Sequence, residues 1–443
     1  MKPPIWIFLS IIVLVSTENP SAYESALKAI SSIGVRLQAL LEDGNSNSNF
    51  LVSPLSITTV IGQLMLGAEG QFRDELFELL NLGPTDANKN SMLNTYTEKN
   101  NETSPLAYSK FHMEMYSLTK TLEKSAKLFT LTQKNAVFFD RKLKLTKNFQ
   151  SHSGLFYHSE LTPLDFTKNP EGAQKVLNTW AERHTQGLIK NIFPAPPSVL
   201  TSAIFLNAIY FLADWEIPFS DLLNKVGEFR TQEDAYVDVT YMLGAPEGIL
   251  YTETDQYKMI ALPYKDGELD MFMLLPRKDS PYKYDIRKFA ESLKATDIED
   301  AIKQAKLRDV NVKIPKMSLS SSVSVLEPLL RYKARKDAQS NQKEPAPEDT
   351  NSVNVTKISK ESYPEILLTG AVENGNLRIS DIIQEMVFSI NEKGTEAAAV
   401  ALGSIQYNGV QKQFFADRPF VFFIRHRSTT ATLFWGTISN PSG

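Results

Sequence analysis

No cysteine occurs among the 443 residues, which excludes disulfides, thiolate nucleophiles and Cys-ligated zinc or iron–sulfur sites. Histidine is scarce as well: His112, His152, His158, His184 and His426 stand in no ligand-like spacing, so no metal is expected. A large excess of one charge is also missing. Lys and Arg number 47 against 51 Asp and Glu, a formal net charge of −4, which is not the basic balance of a nucleic-acid binder. No apolar run reaches the roughly 18 residues that a membrane helix needs, so a bilayer is not expected as a partner either. The G-x-S-x-G elbow, H-E-x-x-H, the P-loop and G-x-G-x-x-G are all absent, so the chain is expected to be neither an enzyme nor a holder of cofactors.

What remains is ordinary globular material, 42 % apolar and 22 % charged, long enough to bury a large core without covalent staples. Met1 and Lys2 precede an apolar stretch over residues 5–15, broken by Ser10. That pattern is too short to span a bilayer and predicts a secretory signal within residues 1–22, with Ser16, Thr17, Ser21 and Ala22 as candidate cleavage points. A secreted chain gives meaning to two glycosylation sequons, Asn101-Glu102-Thr103 and Asn354-Val355-Thr356. Pro441 disqualifies a third at Asn440.

Helical periodicity runs through residues 23–41 and 174–187, and residues 71–80 form a further short helix. Ser53 and Pro54 form a cap and first turn for a helix over residues 55–66. Apolar runs at residues 137–139, 203–211, 271–275, 386–390, 420–424 and 431–435 read as buried strands. Helices gather early and strands late, so the expected class is α+β. Residues 331–361 contain Lys333, Arg335, Lys336, two prolines and little that is large and apolar. Such a composition does not repay ordering entropy, and a polar, disordered insertion over 333–361 is expected.

The unusual stretch follows the strand ending at Ile390. From Ala397 to Gln411 there is neither charge nor proline, whereas surface loops normally carry both. In extended form Thr395, Ala397, Ala399 and Ala401 share one face, and Glu396, Ala398, Val400 and Leu402 the other. Three readings fit the residues: a loop built to become an interior strand, a static hairpin turning at Asn408-Gly409, or an Ala-rich helix over residues 396–402.

Several ordered motifs resemble those of a single known family. Asn49-Phe50-Leu51-Val52-Ser53-Pro54-Leu55-Ser56-Ile57 is similar to the start of that family's buried second helix, and Gly67-Ala68-Glu69-Gly70 to its following turn, although Phe72 replaces the usual Thr. Leu177-Asn178-Thr179-Trp180, Asn207-Ala208-Ile209-Tyr210-Phe211 with Trp215, Leu262-Pro263-Tyr264, Asp417-Arg418-Pro419-Phe420 and Leu433-Phe434-Trp435-Gly436 continue the likeness along nearly the whole mature chain. The resemblance is to the serpin family, and it implies one serpin domain over 23–443, with three sheets, eight or nine helices and a reactive-centre loop at 392–419. It implies a monomer that inhibits a serine protease as a suicide substrate, the cut loop entering the central sheet while the protease is held through an acyl link. The hinge of that loop is Glu392, Gly394, Thr395, Glu396, Ala397, Ala398 and Ala399, with Gly394 giving backbone freedom, Thr395 small enough to enter first and the three alanines following without side-chain cost, as in inhibitory members. A non-inhibitory carrier, chaperone or storage serpin is the alternative. The usual register places the cut between Asn408 and Gly409, with Tyr407 or Lys412 as alternative bait residues. Ser53, Ser56, Asn178 and Gln384 are the implied polar group where the sheet parts. Lys110, Lys120, Lys124 and Lys127 offer a weak glycosaminoglycan site.

Overall fold

The computed structural model describes residues 20–41, 48–83, 110–126, 129–232, 235–341, 365–394 and 412–442. The calls at Asn101, Asn354, Thr395, Glu396, Ala397, Ala398, Ala399, Tyr407, Asn408 and Gly409 lie outside these residues, as does the signal segment up to residue 19.

Helix α1 (Glu24–Leu41) leads to β1 (Phe50–Val52), α2 (Pro54–Gly67) and α3 (Gly70–Leu79). Next come α4 (Lys110–Ser125), β2 (Thr130–Asp140), α5 (Lys147–Tyr157), β3 (Ser159–Leu164), α6 (Pro170–His184) and β4 (Ala203–Leu212). The middle of the chain holds β5 (Lys225–Gln232), β6 (Ala235–Gly244), β7 (Ile249–Glu253), β8 (Tyr257–Pro263), β9 (Leu269–Pro276), α7 (Ile286–Ser292) and α8 (Ala295–Gln304). It continues with β10 (Lys306–Arg308), β11 (Val310–Pro315), β12 (Met317–Ser324), α9 (Leu326–Asn341), β13 (Leu367–Leu368) and β14 (Leu377–Ile390). The C-terminal strands are β15 (Lys412–Phe415), β16 (Phe420–His426) and β17 (Thr432–Ile438).

These strands form three sheets. A seven-stranded sheet runs β1-β17-β16-β9-β8-β7-β10, a four-stranded one β15-β11-β6-β5, and a six-stranded one β12-β14-β4-β2-β3 with β13 beside β14. The α+β class is as expected, with nine α-helices among the described residues. Helix α2 starts as its sequence predicts: the Ser53 side chain accepts from the Ser56 N–H and Pro54 occupies the first turn. Apolar nearly all round, α2 is buried between the two large sheets against β17 and β4. The opposite face of the six-stranded sheet is covered by α6, whose Leu177, Trp180 and Ala181 pack with Ile204, Leu206, Ala208 and Ile383.

The insertion is the main correction. Helix α9 runs on to Asn341, so the first residues of 333–361 are helical. Leu329 anchors the helix in the core, Arg331 pairs with Glu327 one turn back, and Lys333 pairs with the buried Glu75 of α3 at 3.3 Å. These contacts supply the burial that composition alone did not reveal. Residues 342–361 lie outside the described set.

Candidate functional site

Strand β14 ends at a tight turn in which Asn391 and Gly394 bridge each other. Gly394 has φ +127°, and a Cβ there would lie 2.3 Å from the Ala213 carbonyl oxygen and 2.6 Å from Asp214 Cα. Close approach of backbone to backbone, as well as left-handed φ, therefore demands glycine. The segment after β4 clamps the turn: Trp215 N–H donates to Lys393 O (2.8 Å), Phe219 N–H to Glu392 O (2.7 Å), and the Trp215 indole to Asn391 O (2.9 Å). Trp215 itself stacks on Tyr264 at 4.5 Å.

Glu392 is 5 % exposed and receives both Lys316 Nζ, at 3.0 Å to each carboxylate oxygen, and the Asn224 amide. Burial alone would raise its pKa, but its own backbone N–H, Asn224 and Lys316 together hold the carboxyl below the ordinary range. The hinge thus begins from a fixed post. At the far end of the loop, Lys412 is the first residue of β15, paired beside Val310 of β11. Lys412, an alternative bait residue of the sequence reading, is thus held in a described strand.

Beneath the hinge, β14 and β4 pair in parallel from Ile379↔Ala203 to Val387↔Tyr210. A run of buried polar groups crosses this seam. Ser53 Oγ donates to Leu433 O (2.7 Å), and the Ser53 N–H donates to Gln384 Oε1 (2.9 Å). Gln384 Nε2 donates to Asn207 Oδ1 at 3.2 Å, Asn207 Nδ2 to Asn135 Oδ1 at 2.8 Å, and Asn135 Nδ2 to Tyr157 O at 2.9 Å. The chain therefore joins α2, β14, β4, β2 and α5. A cavity of about 10 Å³ lies beside Gln384 and Asn207, over Ile57 and Ile61, near the minimum that holds one water.

Of the four polar residues named from the resemblance, the structure brings Ser53 and Gln384 together. Ser56 contributes its N–H to Ser53 Oγ (3.2 Å), while its own hydroxyl is buried with no partner among the described residues. Asn178 is a correction: it lies on α6, across the sheet from Gln384, and its amide binds Phe193 N–H, Phe193 O and Asn191. It fastens the segment after α6 instead of crossing the seam. Asn207 and Asn135 were missed, although a lone Asn inside a buried apolar run demands a partner and marks such a seam.

Glu385 projects to the α6 face and is 1 % exposed, with the Ser322 hydroxyl donating to it. Burial pushes its carboxyl up to about 7, against the pull of that hydrogen bond. At the far end of the polar run, His112 Nδ1 meets the Tyr157 hydroxyl. Burial first, then Arg73 and His152, hold the His112 ring down to about 3.

On helix α4, Lys110 lies against Glu24 and Glu114, and Lys120 against Glu123. The suggested glycosaminoglycan face is therefore partly neutralised by its own carboxylates, and Lys127 lies outside the described residues.

Comparison with known proteins agrees with this architecture. The family model described as "Serpin (serine protease inhibitor)" matches residues 28–441. The leukocyte elastase inhibitor of Bos taurus is 26 % identical over 427 residues, covering 94 % of this chain and 100 % of that protein. Human antithrombin-III is 24 % identical over 408 residues, 91 % of this chain and 79 % of that one. Among solved structures, human thyroxine-binding globulin complexed with thyroxine superposes with a TM-score of 0.73 at 20 % identity, over 95 % of this chain and 99 % of its own. An Arabidopsis serpin in its native stressed conformation gives 0.72 at 22 % identity, over 95 % and 99 %. At these identities the structural likenesses carry the fold alone. With a family match from end to end, a clamped hinge and a closed parallel seam below it, the chain belongs to the serpin family.

Proposed function

We propose that this chain is a secreted, inhibitory serpin that traps a serine protease, with Asn408–Gly409 as the reactive bond and Tyr407 as the second choice. The secretory signal in residues 1–22 and glycans at Asn101 and Asn354 belong to the same reading, as does a monomeric working form. The observation that carries it is the match between seam and loop. Strands β14 and β4 run parallel, and a chain turning back after Asn391–Gly394 runs antiparallel to both. Entry of that chain exchanges one parallel ladder for two antiparallel ones, which are slightly more stable per residue.

The turn also fixes the register of entry. Continuing the pairing of Asn391 with Gly394 sets Thr395 opposite Ile390, Ala397 opposite Phe388, Ala399 opposite Met386 and Ala401 opposite Gln384. Small uncharged residues therefore meet the seam, and the Gln384–Asn207 bond gives way as Ala401 arrives. About ten new backbone hydrogen bonds at ~1 kcal/mol net each are of the same order as the stability of a whole domain. Release on that scale is sufficient to distort a protease held by an acyl link before water resolves it.

The test is incubation of the secreted chain with a panel of chymotrypsin-, elastase- and trypsin-like proteases, followed by a denaturing gel. A covalent band at the summed mass supports the reading, and the released C-terminal fragment should begin at Gly409 or Asn408. Cleavage without that band across the panel, with substrate turnover, contradicts inhibition and points to the carrier, chaperone or storage alternative.

A further inference from the structure

Seven lysines, Lys110, Lys120, Lys144, Lys288, Lys303, Lys316 and Lys333, have a carboxylate within 4.0 Å. One group of cations on a shared sheet face has none among the described residues. On β10, Lys306 lies opposite Tyr251 of β7 and Arg308 opposite Ile249. On β8, Lys258 lies opposite Glu253. Since Ile249, Tyr251 and Glu253 alternate along one strand, Lys306, Arg308 and Lys258 share one sheet face. The start of β15 lies over the same face: Lys412 Nζ is 5.6 Å from the Tyr251 ring centroid, and Lys258 Nζ donates to Gln413 O at 3.4 Å.

None of these four cations has a carboxylate within salt-bridge distance among the described residues. Glu253, opposite Lys258, and Asp309, next to Arg308, are engaged elsewhere. Glu253 takes Arg277 at 3.1 Å and the Tyr251 hydroxyl at 2.9 Å, and Asp309 accepts the Gly248 N–H at 3.0 Å. Lys306, Arg308 and Lys412 are exposed. A chain of net charge −4 thus carries a local positive surface on the C-terminal foot of its loop. Strand spacing places the cations on the order of 10 Å apart, about one Debye length at 0.1 M salt, so their fields add.

We propose that Lys258, Lys306, Arg308 and Lys412 form a secondary docking surface for an acidic patch on the target protease. This rests on the inhibitory reading and deepens it by naming the charge of the partner. Residue 409 lies three residues before Lys412, a span of at most about 11 Å, so a protease engaging residues 407–409 comes within reach of Lys412 and the strand it belongs to. Negative charge there is drawn in along the approach path, while the rest of the acidic inhibitor repels it. Charges so placed act chiefly on the association rate and on register.

The experiment uses the full chain and the Lys258→Glu/Lys306→Glu/Arg308→Glu variant, leaving Lys412 in place. Each is reacted with the panel protease that gives the covalent band, in native form and after succinylation of the protease's lysines. Second-order rate constants are read at 0.05 M and 0.5 M salt, with the stoichiometry of inhibition. For the wild-type chain the succinylated protease should react roughly tenfold faster than the native one at low salt, and the advantage should vanish at high salt. The variant should lose that advantage and keep the stoichiometry and the covalent band. Equal rates for both inhibitors, with the band intact, overturn the docking surface and leave inhibition standing. Acceleration by heparin that is lost in the variant, with no response to protease charge, assigns the surface to a sulfated polysaccharide and also overturns it. Absence of a band for either inhibitor with every protease sinks both readings. If the triple variant fails to fold, Lys306→Ser with Arg308→Ser removes charge without adding repulsion and should lower the low-salt rate in the same direction.

Discussion

The seven-stranded sheet and the six-stranded sheet enclose one helix between them, yet their centres are made of different material. In the first, Phe272 stacks on Phe423 at 4.9 Å, Phe423 on Trp435 at 5.8 Å, and the ladder β9-β16-β17 is antiparallel. In the second, the central pair is parallel and carries Gln384, Asn207 and Glu385, with a small cavity beside them. Dense apolar packing has no lower-cost arrangement to move to. A parallel seam held by side-chain amides is satisfied while closed, and each of those bonds can be exchanged for another when a strand enters. Under the inhibitory reading proposed above, permanence and readiness to open are separated by sheet, and substitutions in the two places should have different signatures.

Thr395→Arg should act most strongly, because a charged, bulky residue at the first entering position stalls insertion. The variant should fold with an unchanged melting midpoint and yield only cleaved protein, with no covalent band on a denaturing gel. Phe423→Ala comes next. It should cost ~3–5 kcal/mol and lower the melting midpoint of intact and cleaved protein alike, since the seven-stranded sheet is common to both states. Gln384→Ala should cost about 1–3 kcal/mol through the stranded Asn207 and Ser53 groups, and mostly in the intact form, where the Gln384–Asn207 bond exists. Equal losses in both forms by calorimetry would remove the distinction between the sheets.

The last effect concerns pH and is confined to a narrow window. Glu385 titrates near 7 in the folded chain against an ordinary 4.5. Between those values the native state holds a proton that the unfolded chain has released, so native stability falls as pH rises through that window. Glu385→Gln should flatten the fall, on the order of 3 kcal/mol at most. His112 works in the opposite sense: its ring, held down to about 3, costs stability as pH drops below 6.5. A plot of melting midpoint against pH for Glu385→Gln separates the two, since the fall through the Glu385 window should flatten while the loss below 6.5, shared by His112 with His152, His158 and His184, remains.

Much of this was legible beforehand because it is local or periodic. Ser53-Pro54 announces the start of α2, and apolar runs mark β4, β9, β16 and β17. Strand β14 was seen only from Met386, although it begins at Leu377, because Arg378, Ser380 and Asp381 on it break the apolar pattern. Helix α9 was hidden for the reverse reason: its polar sequence is held by Leu329 and by Lys333 on Glu75, contacts that join residues far apart in the chain. The Asn135–Asn207–Gln384 run was legible only in part, since hydrogen-bond partners on three strands follow from register and not from spacing. Asn178 misled because the motif around it is sound while its side chain faces away from the seam.

The stored difference in free energy between closed and inserted states is most directly read from one melting experiment. The purified chain is nicked near residue 408 by a protease that cleaves it without being trapped, and intact and nicked samples are heated side by side. A rise of roughly 10 °C or more in the midpoint, the scale set by about 10 kcal/mol of added stability in a chain of this length, is expected of the nicked form. An unchanged or lowered midpoint would show that the intact fold stores nothing for the loop to release.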